Sequence, residues 1–241
     1  MYIDCILYQA SIMDRFGLLS LIAIGGANMA IAGTVRAFPK EKTIVSGELS
    51  SGLYRTMPYF VSKAIAEIPL ISVLNALFCG IIYPLSGLQK GKFLNFLKIT
   101  TLHTVASEGA GLLVGSISSS SDMALALMPP ILVLNIIFDG KNVSEENTPK
   151  FLRWLPKLGL IRWGFEGLAL NEFDGLTFDT SGPRRGPVAK TGFEALDRFG
   201  LGSRSLGDVM KAQLYIISGC WILSFLGLSL TGTKYTTMQS V

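Results

Sequence analysis

An all-α polytopic membrane protein with about five spanning helices is the fold class this sequence predicts, and three observations predict it. Hydrophobic residues fill 49% of the 241 positions and charged residues only 16%, a balance outside that of soluble domains. The apolar residues are gathered into blocks, each near the roughly 20 residues that a ~30 Å hydrocarbon core requires. The short alternating strands of a closed β-barrel do not occur.

Taken in order, residues 1–16 read as a stump and loop before the first span. Met1-Tyr-Ile-Asp-Cys-Ile-Leu-Tyr8 lacks the charged start of a signal peptide. The first span, 17–37, is almost free of charge. The connector 38–55 is polar, with Val45, Leu49 and Leu53 at i, i+4 and i+8, which predicts a helix lying on the membrane surface or against a partner protein. Arg36, Lys40 and Lys42 on that side of the first span place the connector in the cytosol. The second span, 60–88, carries only Lys63 and Glu67 near its start. On the third, 97–117, Gly111 and Gly115 form a GxxxG that would let two backbones approach closely, although a chance match is as plausible with 26 glycines in the chain. The serine run Ser118 to Ser121 is a very short turn, so the fourth span, 122–138, is an antiparallel neighbour of the third.

Residues 139–211 do not read as a span. Phe151, Leu155, Leu158, Ile161, Phe165 and Leu168 recur every three to four positions, but Arg153, Lys157 and Glu166 intervene and Pro156 and Gly159 break the run. Two short amphipathic helices dipping into the outer leaflet are expected. From Asp174 to Ser205, including Ser181-Gly-Pro-Arg-Arg-Gly-Pro187, the composition predicts an exposed loop. The fifth span, 212–232, is the most apolar, and 236–241 form a tail.

Most chemistry is excluded. No GxxxxGK[ST] phosphate cradle, GxSxG or HExxH occurs, and the single His103 denies the chain a two-histidine metal site. A net charge of +4 is too small and scattered for nucleic acid. Cys5, Cys79 and Cys220 read as packing thiols. His103 and Glu108 are five residues apart, about 500° of helix rotation, so they lie apart around the axis. The intramembrane polar residues Asn28, Glu67, Asn75, His103, Glu108, Asn135 and Asp139 serve either as interhelical hydrogen bonds or as a polar relay. Asn142-Val-Ser144 is a glycosylation sequon close to the membrane.

The motifs, in order, resemble the membrane half of G-subfamily ABC transporters, the White-type half-transporters with an ABC-2 permease domain. They are Ser11-Ile-Met-Asp-Arg-Phe-Gly-Leu-Leu19, Phe38-Pro-Lys-Glu-Lys42, then Glu48, Gly52, Tyr54 and Tyr59 to Lys63, then Ala66-Glu-Ile-Pro69, and finally Arg162-Trp-Gly-Phe165, Asn171-Glu-Phe173 and Gly175. The likeness covers nearly the whole chain and is strongest to plant and algal half-size members. It implies a type V exporter-like transmembrane domain whose nucleotide-binding domain and first span would lie ahead of this segment. ATP and magnesium would bind that domain; no cofactor is implied for this chain. The resemblance assigns coupling to the ATPase to segment 39–55 with Glu48, Gly52 and Tyr54, and a substrate cavity between two halves to Met29, Val133 and Ile136. An extracellular re-entrant lid falls to Arg162, Trp163, Phe165, Asn171, Glu172 and Phe173.

The implied function is the permease portion of an ATP-driven exporter of lipophilic substrates, acting by alternating access at the plasma membrane. It is thus a transporter domain rather than an enzyme. Its implied partners are membrane lipids, the nucleotide-binding domain and another half-transporter. The competing expectation is a non-transporting partner that dimerises with full-length relatives, followed by a membrane-embedded transferase using His103 and Glu108. Three positions depart from the family pattern: Gly47 and Leu49 flank Glu48, Phe138-Asp-Gly-Lys-Asn142 puts charge in an apolar plug, and Glu108 replaces a small or neutral residue.

Overall fold

The computed structural model describes residues 9–139, 151, 154–178 and 189–231. Those residues form eight α-helices, and their one β feature is a bridge between Thr177 and Thr191. The stump through Tyr8, the sequon, Gly140 to Asn142 of the plug, Arg153, the 181–187 run and the tail lie outside the described residues.

Helix α1 (Gln9–Ser50) has 42 residues, which at about 1.5 Å each makes a rod of roughly 60 Å, twice the hydrocarbon thickness. Two expectations are corrected here. The loop expected before residue 17 is helical, because Ile12 and Phe16 are core residues and Phe16 stacks on Phe173 with ring centres 4.2 Å apart. The separate surface helix expected over 39–55 is instead the last turns of α1, which runs through Pro39. A proline inside a helix costs about 3 kcal/mol, but packing around it holds the helix together. Phe38 and Val45 are buried, and Lys42 Nζ donates to the carbonyls of Ser116 (2.5 Å) and Ser118 (3.1 Å). A cation at the carbonyl end of the neighbouring helix also meets the negative pole of its dipole. Of the predicted stripe, Leu53 falls outside this packing, in the exposed turn beyond α1.

Helices α2 (Thr56–Leu85), α3 (Phe93–Ile117), α4 (Ser121–Ile137) and α8 (Leu206–Thr231) complete the long elements. By length and composition α1, α2 and α8 can each cross a membrane, and α4 is a shorter apolar helix. Helix α3 carries Lys98, His103 and Glu108, and it is the helix the others surround; α1 and α8 pack on it most extensively. The GxxxG makes the α1 contact possible. A Cβ on Gly111 would stand 2.9 Å from Thr34 Cβ and 3.2 Å from the Ile31 carbonyl oxygen, and one on Gly115 would stand 2.8 Å from Phe38 Cδ1. The short turn into α4 is closed by Ser120, whose hydroxyl accepts from Met123 N–H (3.2 Å).

Helices α5 (Leu155–Leu158) and α6 (Leu160–Phe173) occupy the place of the two expected short helices. Their burial is different from that of a dipping amphipathic pair. Helix α6 is covered on nearly every side by α1, α3 and α8, whereas Phe151 and Leu158 of the predicted apolar stripe are exposed. The loop expected over 174–205 also needs correction among its described residues. Helix α7 (Gly192–Arg198) follows the Thr177–Thr191 bridge and sends Ala195 and Leu196 into the main core, joined by Leu201. Thr191 caps α7 by accepting from Glu194 N–H (3.2 Å). Glu194 in turn accepts from Lys190 N–H (2.8 Å) and Arg198 (2.9 Å). The main core therefore lies where the first turns of α1, the end of α2, the start of α3, α6 and α7 meet.

Candidate functional site

At the far end of α1 the chain reverses through a turn that needs Gly52, whose φ of 74° is left-handed and disfavours any side chain. Glu48 closes the turn twice: its carbonyl accepts from Leu53 N–H (3.2 Å) and its carboxylate from the Tyr54 hydroxyl (2.5 Å). Desolvation first, and then the Glu48 carboxylate, push the Tyr54 hydroxyl up to about 12. The three coupling residues predicted from the sequence thus form one unit.

That unit leads into a buried polar chain. The Tyr54 ring stacks near Tyr59 (6.3 Å), and the Tyr59 hydroxyl donates to Glu41 Oε1 (2.6 Å). Lys63 Nζ bridges Glu41 Oε2 and Glu67 Oε1, each at 2.6 Å, and lies 5.2 Å from the centre of the Phe38 ring. Glu67 in turn contacts Glu108 of α3. Sequence reasoning named Glu67 and Glu108 as intramembrane polar groups, Glu108 also with His103 as a transferase pair, and quoted Glu41 and Lys63 within family motifs without joining the four. The Lys63/Glu67 spacing of four residues was the available signal.

The six predicted lid residues are brought together at the opposite end, and all are buried. Glu172 is held by the Arg15 guanidinium and by Gln89 N–H, 3.1 Å from Oε2. Asn171 donates to the Lys92 carbonyl (3.4 Å), and Lys92 pairs with Asp174 (3.0 Å). Phe165 and Phe173 pack on Phe16. Trp163 donates its indole N–H to the Lys157 carbonyl (2.9 Å) and lies between the Arg162 and Arg204 guanidinium groups, 5.5 and 5.3 Å from its ring centre. Arg204 also meets both oxygens of Glu166, at 3.2 and 3.3 Å. Asn135, one of the intramembrane polar residues named from the sequence, forms an interhelical hydrogen bond: its side-chain oxygen accepts the Leu160 N–H (2.9 Å) and so ties α4 to the start of α6.

His103 and Glu108 face different neighbours. His103 Nε2 lies 2.8 Å from the Ala23 carbonyl oxygen, and its ring presses on Gly164 of α6, whereas Glu108 meets α2. They form no acid–base dyad. Of the cavity residues, Met29 and Val133 are 77% and 53% exposed, and Ile136 is half-buried against the main core. Asn28 is exposed beside Met29.

Comparison with known proteins assigns this arrangement of helices, since the family model for ABC-2 type transporters matches residues 2–173. The chain belongs to the ABC-2 type transporter family. The chain is 38% identical over 233 residues to ABC transporter G family member 7 of Arabidopsis thaliana, covering 96% of this chain and 32% of the relative. Against Protein white of Drosophila melanogaster it is 33% identical over 169 residues, 69% of this chain and 25% of the relative. Against ABC transporter G family member 1 of Dictyostelium discoideum it is 26% identical over 232 residues, 92% of this chain and 29% of the relative. The chain thus spans about a third or less of the length of these relatives. It is an integral membrane domain of the G-subfamily, White-type transporters.

Proposed function

We propose that this chain is the permease portion of an ATP-driven exporter of lipophilic substrates (lipids, sterols or hydrophobic xenobiotics) at the plasma membrane. It works by alternating access with a nucleotide-binding domain and a second half-transporter. The observation that carries the reading is the α1 face bearing Asn28 and Met29, both exposed near the middle of a helix apolar enough to span. Lipid is a poor neighbour for an amide at that depth, so polar groups there face a cavity or another protein. A cavity shared with a second half accommodates Asn28, and the adaptable side chain of Met29 with Val133 of α4 suits apolar ligands carrying few polar groups. The mechanical part of the reading rests on α1, whose one end holds the lid residues through Arg15 and Phe16 and whose other end holds Glu48.

The test uses a full-length transporter containing this segment, assayed for ATP-dependent efflux of a fluorescent lipid, a labelled sterol and a hydrophobic dye. Met29→Asp is expected to lower efflux of at least one of them by about tenfold, the effect of ~1.4 kcal/mol. Glu48→Lys is expected to abolish efflux of all while ATP hydrolysis and the folded fraction persist. Unchanged efflux in both variants overturns the reading, and efflux of none of the three by the parent overturns the substrate class.

A further inference from the structure

The buried polar chain carries more carboxyl groups than its cations balance. Lys63 is the ammonium among three carboxyl groups: Glu41 and Glu67 at 2.6 Å, and Glu108 beyond Glu67. Glu108 is 1% exposed. Glu67 Oε2 and Glu108 Oε2 are both buried, and neither is met by an N–H or O–H donor of another group. What they have as a neighbour is each other, Glu67 being the acid closest in its effect on the Glu108 carboxyl group. A carboxylate only accepts, so two of them can hydrogen-bond only if a proton sits between them. Two full carboxylates in contact away from water would instead repel, the condition under which paired acids retain one proton.

We propose that Glu67 and Glu108 form a proton-binding site in the contact between α2 and α3, holding one proton between two carboxyl groups at neutral pH. With the proton in place, Lys63 faces two net negative charges from three carboxyl groups; without it, three. The site is thereby linked to α1, because Lys63 is the shared partner of Glu41 and Glu67. Loss of the proton sets Glu67 against Glu108 and loosens α2 from α3.

Among the described residues, the cations of the surrounding helices are engaged elsewhere or exposed. On α1, Lys42 is turned to the Ser116 and Ser118 carbonyls, and Arg36 and Lys40 are exposed. On α2, Tyr59 donates to Glu41. From α8, Trp221 and the Cys220 thiol lie beside Gly109. On α6, Arg162 and Glu166 pair with one another, 3.8 Å apart, and α4 contributes Asp122 in its first turn. This inference stands apart from the substrate and the transport cycle, since it concerns the resting fold.

Infrared spectroscopy of the protein in lipid nanodiscs, with and without heavy-water exchange, tests it. At neutral pH the parent is expected to show a protonated-carboxyl band that disappears as the pH is raised, with the melting temperature falling over the same interval. Glu67→Gln and Glu108→Gln each replace the shared proton by an amide donor, so each is expected to lose that band and to flatten the pH dependence of melting. A parent without the band at neutral pH overturns the proposal, as does a band that survives both substitutions. Failure of both variants to fold also overturns it, because an amide preserves every hydrogen bond of a carboxyl group that is already protonated.

Discussion

Replacing Gly164 by alanine tests how closely α6 is seated on α3 at His103. A Cβ at that position would stand 2.5 Å from His103 Nδ1, 2.7 Å from Cγ and 2.8 Å from Cε1, distances that no relaxed pair of atoms adopts. The ring has little room to yield. His103 is 3% exposed, and Nε2 is held by the Ala23 carbonyl at 2.8 Å. Either α6 lifts off α3, or the ring swings and leaves its own buried Nε2 without the Ala23 carbonyl. Overpacking of this kind costs about 1–3 kcal/mol, and an orphaned buried hydrogen-bonding group adds about 1–3 kcal/mol. We therefore expect Gly164→Ala to destabilise by roughly 2–4 kcal/mol, read as a fall in melting temperature in detergent. The decisive measurement is the double variant Gly164→Ala/His103→Ala. With the ring removed, the added methyl has space, so the second substitution should restore part of what the first lost, with a coupling of about 1–3 kcal/mol. Strictly additive losses would refute the reasoning.

The other predictions concern separate contacts. Gly111→Ala is expected to destabilise more than Gly115→Ala, within about 1–3 kcal/mol each, because the new methyl meets Ile31 backbone in the first case and only the Phe38 side chain in the second; thermal melts in detergent rank them. Glu172→Ala strands the Arg15 guanidinium, whose side chain is only 11% exposed, and should cost about 3–5 kcal/mol, with Glu172→Gln milder because it still accepts from Gln89 N–H. Glu194 is held below the usual carboxylate range, first by the Lys190 N–H and then by Arg198. Its contribution is therefore complete above the unfolded value of about 4.3 and is lost as pH falls through its lower folded value. Acid should open α7 in the parent, and Glu194→Gln should flatten that response, followed by hydrogen exchange of the α7 amides.

The fold class was legible because apolar blocks of bilayer length are a local property, and so was a short helix over the Leu160–Phe173 stretch, whose apolar residues recur at helical spacing within one segment. What escaped depends on distant partners. Residues 9–16 read as a loop until Phe173 and Phe199 are seen packed on Phe16. Pro39 signals a break, and only the carbonyls ending α3, some 75 positions away, show why Lys42 can hold the helix together through it. The segment after Asp174 is polar enough to read as an exposed loop, yet Ala195, Leu196 and Leu201 have a core to enter. Of the buried polar chain, the sequence showed the Lys63/Glu67 pair on one helix face; Glu41 and Glu108 join it only once α1 and α3 are placed beside α2.

The continuity of α1 constrains how a push at one end could be felt at the other. Arg15 and Glu48 are separated by roughly 50 Å of a single helix, and a helix transmits displacement only as well as its weakest turn. That turn is at Pro39, where one intrahelical hydrogen bond is missing. It is also the most heavily braced part of the rod. Phe38 is wedged against Gly115 and lies under the Lys63 ammonium, Lys42 grips the end of α3, and Glu41 is pinned by Tyr59 and Lys63. A displacement of the Glu48 turn therefore meets α2 and α3 at the Pro39 turn before it can reach Glu172 and Phe173 at the other end of α1. On this reading α1 acts together with α2 and α3 as one body, and the Glu41–Lys63–Glu67–Glu108 chain that joins the three helices decides how stiff that body is.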